Sequence, residues 1–134
     1  MSNYFSKIQI DLLAKAKSEK RYIHLKNENE NLRDIMNIKS LNKLISMHNC
    51  WDQKNFSLVL NKNTIPFSAF LTTGDALGFA KMAPDPIKVE NYIKKGASLV
   101  LNDLVYFSEE IEKLASDLQT ITNGRCQANL YFSM

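Results

Sequence analysis

The sequence predicts an α+β domain, with helices packed on a small mixed sheet, and three observations carry that reading. The first is a strand, helix, strand run between Lys95 and Phe132. The second is a series of amphipathic helical stretches, most of them opened by a side chain able to cap them. The third is a set of short alternating or apolar runs of strand length, bounded by turn-forming residues.

In chain order, residues 4–17 read as a helix, because Tyr4, Phe5, Ile8, Leu12 and Ala16 recur at helical spacing. Lys15, Lys17 and Lys20 gather near its C-terminal end, where the dipole favours cations. A solvated helix end explains that cluster; a weak site for acidic partners is the alternative. Residues 22–26 alternate polar with apolar and predict a strand, with Tyr22, His24 and Lys26 on its wetter face and Ile23 and Leu25 on the other. After a short turn holding Leu32, Ile35 and Met36, Asn37 caps a helix over 38–48. Its buried stripe is Ile38, Leu41, Leu44 and Ile45, continued by His48. Trp51 falls in a polar turn and is expected at the domain's edge. Residues 56–60 form a strand closed by Asn61-Lys62-Asn63.

From Ile65 to Pro84 no steady period appears, and the stretch reads as a long ordered connection. Thr72-Thr73-Gly74-Asp75-Ala76-Leu77-Gly78 lacks the Gly-Lys-Ser/Thr ending of a phosphate loop. Asp85-Pro86 starts a helix over 87–95, with Asp85 as cap and Pro86 where its missing N–H costs nothing; Val89, Tyr92 and Ile93 are its dry face and Gly96 its stop. Residues 98–101 then form a strand. Ser108 caps the helix over 109–122, and Glu109, Glu110 and Glu112 place negative charge at its positive end. Ile111, Leu114, Ala115, Leu118 and Ile121 share one face. Full burial of each large apolar side chain is worth about 1.5–3 kcal/mol, enough to dock this helix on a sheet. Asn123-Gly124 supplies the left-handed stop. The strand over 126–132 places Gln127, Asn129 and Tyr131 on one face and Ala128, Leu130 and Phe132 on the other.

The 134 residues are expected to form a single domain, 1–134, and a hydrophobic fraction of 45% suffices for a core. Seventeen basic against fourteen acidic residues leave a formal charge of +3, too small to argue for nucleic acid, and no basic stripe is interleaved with stacking aromatics. No apolar run has the length of a membrane span, and the N-terminus lacks a charged region followed by an apolar one, so a cytoplasmic protein is expected. Cys50 and Cys126 have no Cys-x-x-Cys partner and read as reduced thiols rather than a disulfide.

Candidate chemistry is scarce. His24 and His48 are the only histidines, and no His-x-Asp, His-Glu-x-x-His or paired-cysteine motif accompanies them, so the chain alone is expected to hold no metal centre. His48 and Cys50 lack a third group to orient them as a nucleophilic pair. The acids sit at helix starts, where capping accounts for them. No catalytic residue is therefore assigned. Asn129 and Tyr131 are more informative. Two apart on a strand, they put an amide and a phenol side by side, a pair able to hydrogen-bond a polar ligand without charge. A solvated structural face accounts for the same pair equally well.

Gly96-Ala97-Ser98-Leu99-Val100-Leu101-Asn102, the capped helix after it and Gln127-Ala128-Asn129-Leu130-Tyr131 together resemble the stretch just ahead of the catalytic core in the cupin-like JmjC oxygenases, the group that includes the ribosomal-protein hydroxylases. The helix from Asn37 to His48, the strand from Phe56 to Leu60 with Asn61-Lys62-Asn63 and Ile65-Pro66, and Asp85-Pro86 before the helix into Gly96 also have counterparts there, so the resemblance covers about residues 20–134. It implies the front of a double-stranded β-helix protein that binds Fe(II) through a His-x-Asp…His triad and uses 2-oxoglutarate and O₂ to hydroxylate a protein side chain. It also implies that Asn129 and Tyr131 lie beside the substrate. In the family the His-x-Asp motif follows shortly after the stretch resembling Asn129 to Phe132, whereas this sequence stops at Met134. The expectation is an N-terminal, substrate-side segment with an incomplete barrel core, inactive alone, whose Fe(II) and 2-oxoglutarate belong to the full-length family. The alternative is an autonomous protein–protein interaction domain. Expected partners are a protein substrate, the missing C-terminal barrel, or a second copy in a homo-oligomer, because a bare apolar edge invites pairing.

Overall fold

Along β1 (Phe56–Leu60), Phe56 and Leu58 are buried while Ser57 and Val59 are only half-covered, and this alternation decides which face of the sheet becomes the core. The computed structural model describes residues 4–25, 30–47, 50–72 and 83–134. Its sheet has the order β2-β1-β3-β4, with β2 at Asn63–Thr64, β3 at Ser98–Leu101 and β4 at Leu130–Phe132. Every pairing is antiparallel, which corrects the mixed sheet expected from sequence. The register aligns Phe56 with Leu101 and Leu130, and Leu58 with Leu99 and Phe132, in two apolar rows on the core face. On the opposite face Ser57, Val100 and Tyr131 form a row.

Helices cover the core face. α3 (Ile38–Ile45) brings Leu41, Leu44 and Ile45, and α4 (Pro86–Lys94) brings Val89 and Ile93. Both caps are as expected: Asn37 Oδ1 accepts the Ser40 N–H at 2.9 Å, and Asp85 Oδ1 accepts those of Ile87 at 2.9 Å and Lys88 at 3.3 Å. Gly96, at φ +93°, ends α4 in the left-handed conformation that only glycine adopts without cost. The Ile65 to Pro84 connection contributes a short 3-10 turn, Phe67–Phe70, whose Phe70 is fully buried, and a bridge between Leu71 and Pro84. The rejected phosphate-loop stretch falls largely on residues outside those described.

α5 (Glu109–Thr122) begins at the expected Ser108 cap and ends at Asn123 with φ +47°. Ile111 reaches the core, yet the helix body packs against the 3-10 turn Leu104–Tyr106 and against α1 (Lys7–Ser18) rather than flat on the sheet. Leu118 and Ile121 are consequently only half-buried. Tyr4 Oη donates to the Glu110 carbonyl at 3.3 Å near the start of α5, and Lys17 Nζ lies beside Gly124 at its end, so α1 and α5 run parallel.

Several expected elements are shorter, or absent. The strand over 22–26 does not form: residues 21–25 keep the alternation, with Tyr22 and His24 exposed and Ile23 and Leu25 half-buried, but they join no ladder, and Lys26 lies outside the described residues. The strand over 126–132 contracts to Leu130–Phe132, although the Leu104 N–H still donates to the Ala128 carbonyl at 2.9 Å. The first helix starts at Lys7, not at residue 4, because Ser6 caps it. Gln9 closes a capping box with Ser6 and is buried, while Ile8, placed on the dry face from sequence, is 73% exposed. The helix over 38–48 ends at Ile45; Ile38 is 60% exposed, and His48 lies outside the described residues. Between α1 and α3 a single helical turn, α2 (Glu30–Arg33), precedes the buried Ile35. Trp51, expected at the edge, is 6% exposed and packs in the core. Its Nε1 donates to the Leu44 carbonyl at 2.7 Å, and its ring meets Phe56 and Phe107. No helix among the described residues is long and apolar enough to cross a membrane.

Candidate functional site

Asn129 and Tyr131 flank Leu130 at the start of β4, and the pleat sends both to the face opposite Leu130 and Phe132, as expected. Tyr131 is 72% exposed. Its neighbours across the ladder are Val100 and, one strand further, Ser57, so the phenol stands at the end of a low row of small side chains.

Asn129 is tied down. Its Oδ1 accepts the Asp103 N–H at 3.2 Å, and Gln127 Nε2 donates to Asp103 Oδ1 at 3.0 Å. Asp103 sits at φ +58°, the left-handed region that Asp tolerates better than most residues. Two side chains of the segment leading into β4 thus clamp the turn by which the chain leaves β3. Sequence reasoning did not find this clamp, although Asn102-Asp103 directly after an apolar run is a turn signal.

A second feature is an apolar groove of about 380 Å³ between α3, α4 and the end of β4. Leu41, Ile45, Val89 and Ile93 form its floor and walls, with Phe132 and Met134 beside it. Ile38, Ile87 and Met134 leave further apolar surface in this region exposed. The heptad-like stripe of α3 hinted at such a surface, since Ile38 lies one turn before Leu41 and Asn42. A wider concavity of about 560 Å³ lies over α5, lined by Val105, Tyr106, Glu112, Gln119, Arg125 and Cys126 among others.

The remaining candidates do not converge. His24 is exposed, and among the described residues no group of three or more His, Cys, Asp or Glu is placed to hold a metal ion. Both cysteines are free and half-buried. Burial pushes the Cys50 thiol above its ordinary range, partly offset by a backbone hydrogen bond, so at neutral pH it is protonated, the wrong state for a nucleophile. Comparison with protein-family models, curated proteins and solved structures gives no match.

Proposed function

We propose that the chain is the N-terminal, substrate-side segment of an Fe(II)- and 2-oxoglutarate-dependent protein hydroxylase of the cupin-like JmjC type. The placement of Tyr131 carries the reading: an exposed phenol on the open face of an antiparallel sheet, with Asn129 two residues back on the same face. In the family that the sequence resembles, the corresponding pair lies beside the substrate side chain. A phenol both donates and accepts, which suits a neutral polar group on a protein substrate. Asn129, locked through Oδ1 to Asp103, keeps its NH₂ group without a partner among the described residues and can serve as the donor of the pair. The order of β3, α5 and β4, and the capped entry of α4 into β3, support the same reading.

The described residues do not fit an iron site, since they offer no converging ligand set. The proposed enzyme therefore takes its His-x-Asp…His ligands and its 2-oxoglutarate site from outside the described residues, and no catalytic step is assigned to side chains of this segment. Its part is to present and orient the substrate. Sequencing the source reading frame past codon 134 tests this. The expected result is a His-x-Asp motif shortly after, in a protein that consumes 2-oxoglutarate in the presence of iron. A stop codon directly after Met134 contradicts the proposal and leaves the autonomous protein–protein interaction domain, which the apolar groove beside β4 favours.

A further inference from the structure

β4 is the last strand in the order β2-β1-β3-β4, so among the described residues one of its edges has no strand beside it. The direction of its backbone groups follows from two hydrogen bonds. The Leu104 N–H donates to the Ala128 carbonyl, and on the other side of β3 the Asn102 N–H donates to the Asn55 carbonyl, both at 2.9 Å. The second bond is in register with the β1–β3 ladder, so Leu99 and Leu101 turn their backbone groups to β4; Leu130 and Phe132 therefore turn theirs to β3, as the Ala128 carbonyl does toward Leu104 one residue out of that register, and Asn129, Tyr131 and Ser133 turn theirs to the open edge. Protein edges are usually blunted by Lys, Pro or a bulge. Gln127–Met134 contains no charged residue and no proline.

We infer that this edge is taken by a second copy of the chain, its β4 running antiparallel about a twofold axis through Tyr131. The strand's own pattern selects that occupant. The axis pairs Tyr131 with its equivalent and Asn129 with Ser133 of the second copy, so both backbone groups of all three outward residues find partners. On the core side it sets Phe132 against the second copy's Leu130, and Met134 against its Ala128, apolar on apolar. On the open side it sets polar on polar. Each chain carries a net charge of +3, but the uncharged strand lets two copies meet with no like charges at the seam. Strand pairing alone covers little of the roughly 1,200–2,000 Å² that a stable interface buries. The groove walls Leu41, Ile45 and Val89, with Ile38 exposed at the rim, adjoin the same edge and supply further apolar area.

The pairing does not depend on the hydroxylase reading, which the reading frame tests separately. Light scattering on the 134-residue chain should give twice the 15.3 kDa chain mass. Tyr131→Pro deletes an outward N–H from each copy without touching the β3 ladder, and should weaken dimerisation about tenfold, as expected for two lost hydrogen bonds. Tyr131→Lys places two ammonium groups across the axis and should weaken the dimer in a way that added salt partly reverses. Tyr131→Phe keeps the backbone and should leave the dimer intact. Circular dichroism melts establish that each variant is folded; should the proline variant unfold, the lysine variant carries the test. A wild-type monomer at every accessible concentration overturns the inference, and so does a dimer indifferent to Tyr131→Lys.

Discussion

Asn129 Oδ1 lies 3.2 Å from the backbone nitrogen of Asp103 and accepts its N–H, so the residue that leads into β4 holds the turn through which the chain leaves β3. The contact spans 26 residues of sequence and joins the two ends of the β3, α5, β4 unit. It also separates Asn129 from its neighbour Tyr131: one side chain is anchored, the other stands in solvent.

Asn129→Ala should therefore lower stability by about 0.5–1.5 kcal/mol, the net worth of a hydrogen bond. Tyr131→Phe, at an exposed position, should change it by less than about 0.5 kcal/mol. Urea denaturation of the two variants checks this directly, and equal losses would show that the Asp103 clamp contributes nothing.

The β1–β2 hairpin turns on Asn61-Lys62, with φ of +51° and +67° at its two loop residues. Two-residue turns of this kind favour glycine at the second position. A left-handed backbone costs a residue with a side chain roughly 1–2 kcal/mol, and glycine gives back about 0.5–1 kcal/mol in unfolded-state entropy. Lys62→Gly should stabilise the chain by roughly 0.5–1 kcal/mol, seen as a higher urea midpoint at unchanged slope.

Trp51 is wedged between Phe56 and Phe107, with ring centroids 5.5 and 4.5 Å away, and holds the Leu44 carbonyl at the end of α3. Trp51→Phe removes that donor and leaves space behind it. A loss of about 1–3 kcal/mol is expected. Far-UV circular dichroism is the suitable probe, because the substitution also removes the chain's single tryptophan.

At the start of α5, the Glu110 carboxyl is held below its ordinary value of 4.5 by its own backbone N–H and then by the Ser108 hydroxyl, with Lys113 and Lys43 adding smaller favourable charge. Its folded pKa being depressed, the unfolded chain binds more protons in the window between the two values. This contribution is complete above the ordinary carboxylate range and is lost as pH falls through the lowered folded value. Glu110→Gln should flatten that part of the acid limb by slightly lowering stability at neutral pH, a small loss because the group is exposed and screened, and should leave the strongly acidic end unchanged. A limb of unchanged slope would contradict the assignment.

Elements whose cause is local were legible in the sequence. Asn37, Asp85 and Ser108 each satisfy N–H groups two or three residues ahead, and those helices begin where the caps stand. What depends on distant partners was not. Residues 22–25 alternate as a strand would, yet alternation records which side is dry, not whether a ladder exists. Gln9 looks like a surface residue until its amide is seen closing the Ser6 cap, a motif the spacing Ser6-x-x-Gln9 did contain. Trp51, in a polar local context, is buried by Phe56 and Phe107. At the candidate site, the shared face of Asn129 and Tyr131 followed from the period of two; the Asp103 clamp and the groove beside Phe132 required the tertiary fold.

Whether Tyr131 meets a protein substrate is decided by 2-oxoglutarate-coupled hydroxylation by the protein encoded by the full reading frame, against its Tyr131→Phe variant, with iron affinity measured alongside. About two- to tenfold slower turnover of the peptide substrate is expected, the loss of one neutral hydrogen bond, at unchanged iron affinity. Full turnover in the variant would contradict it and reduce Tyr131 to an ornament of the sheet's open face.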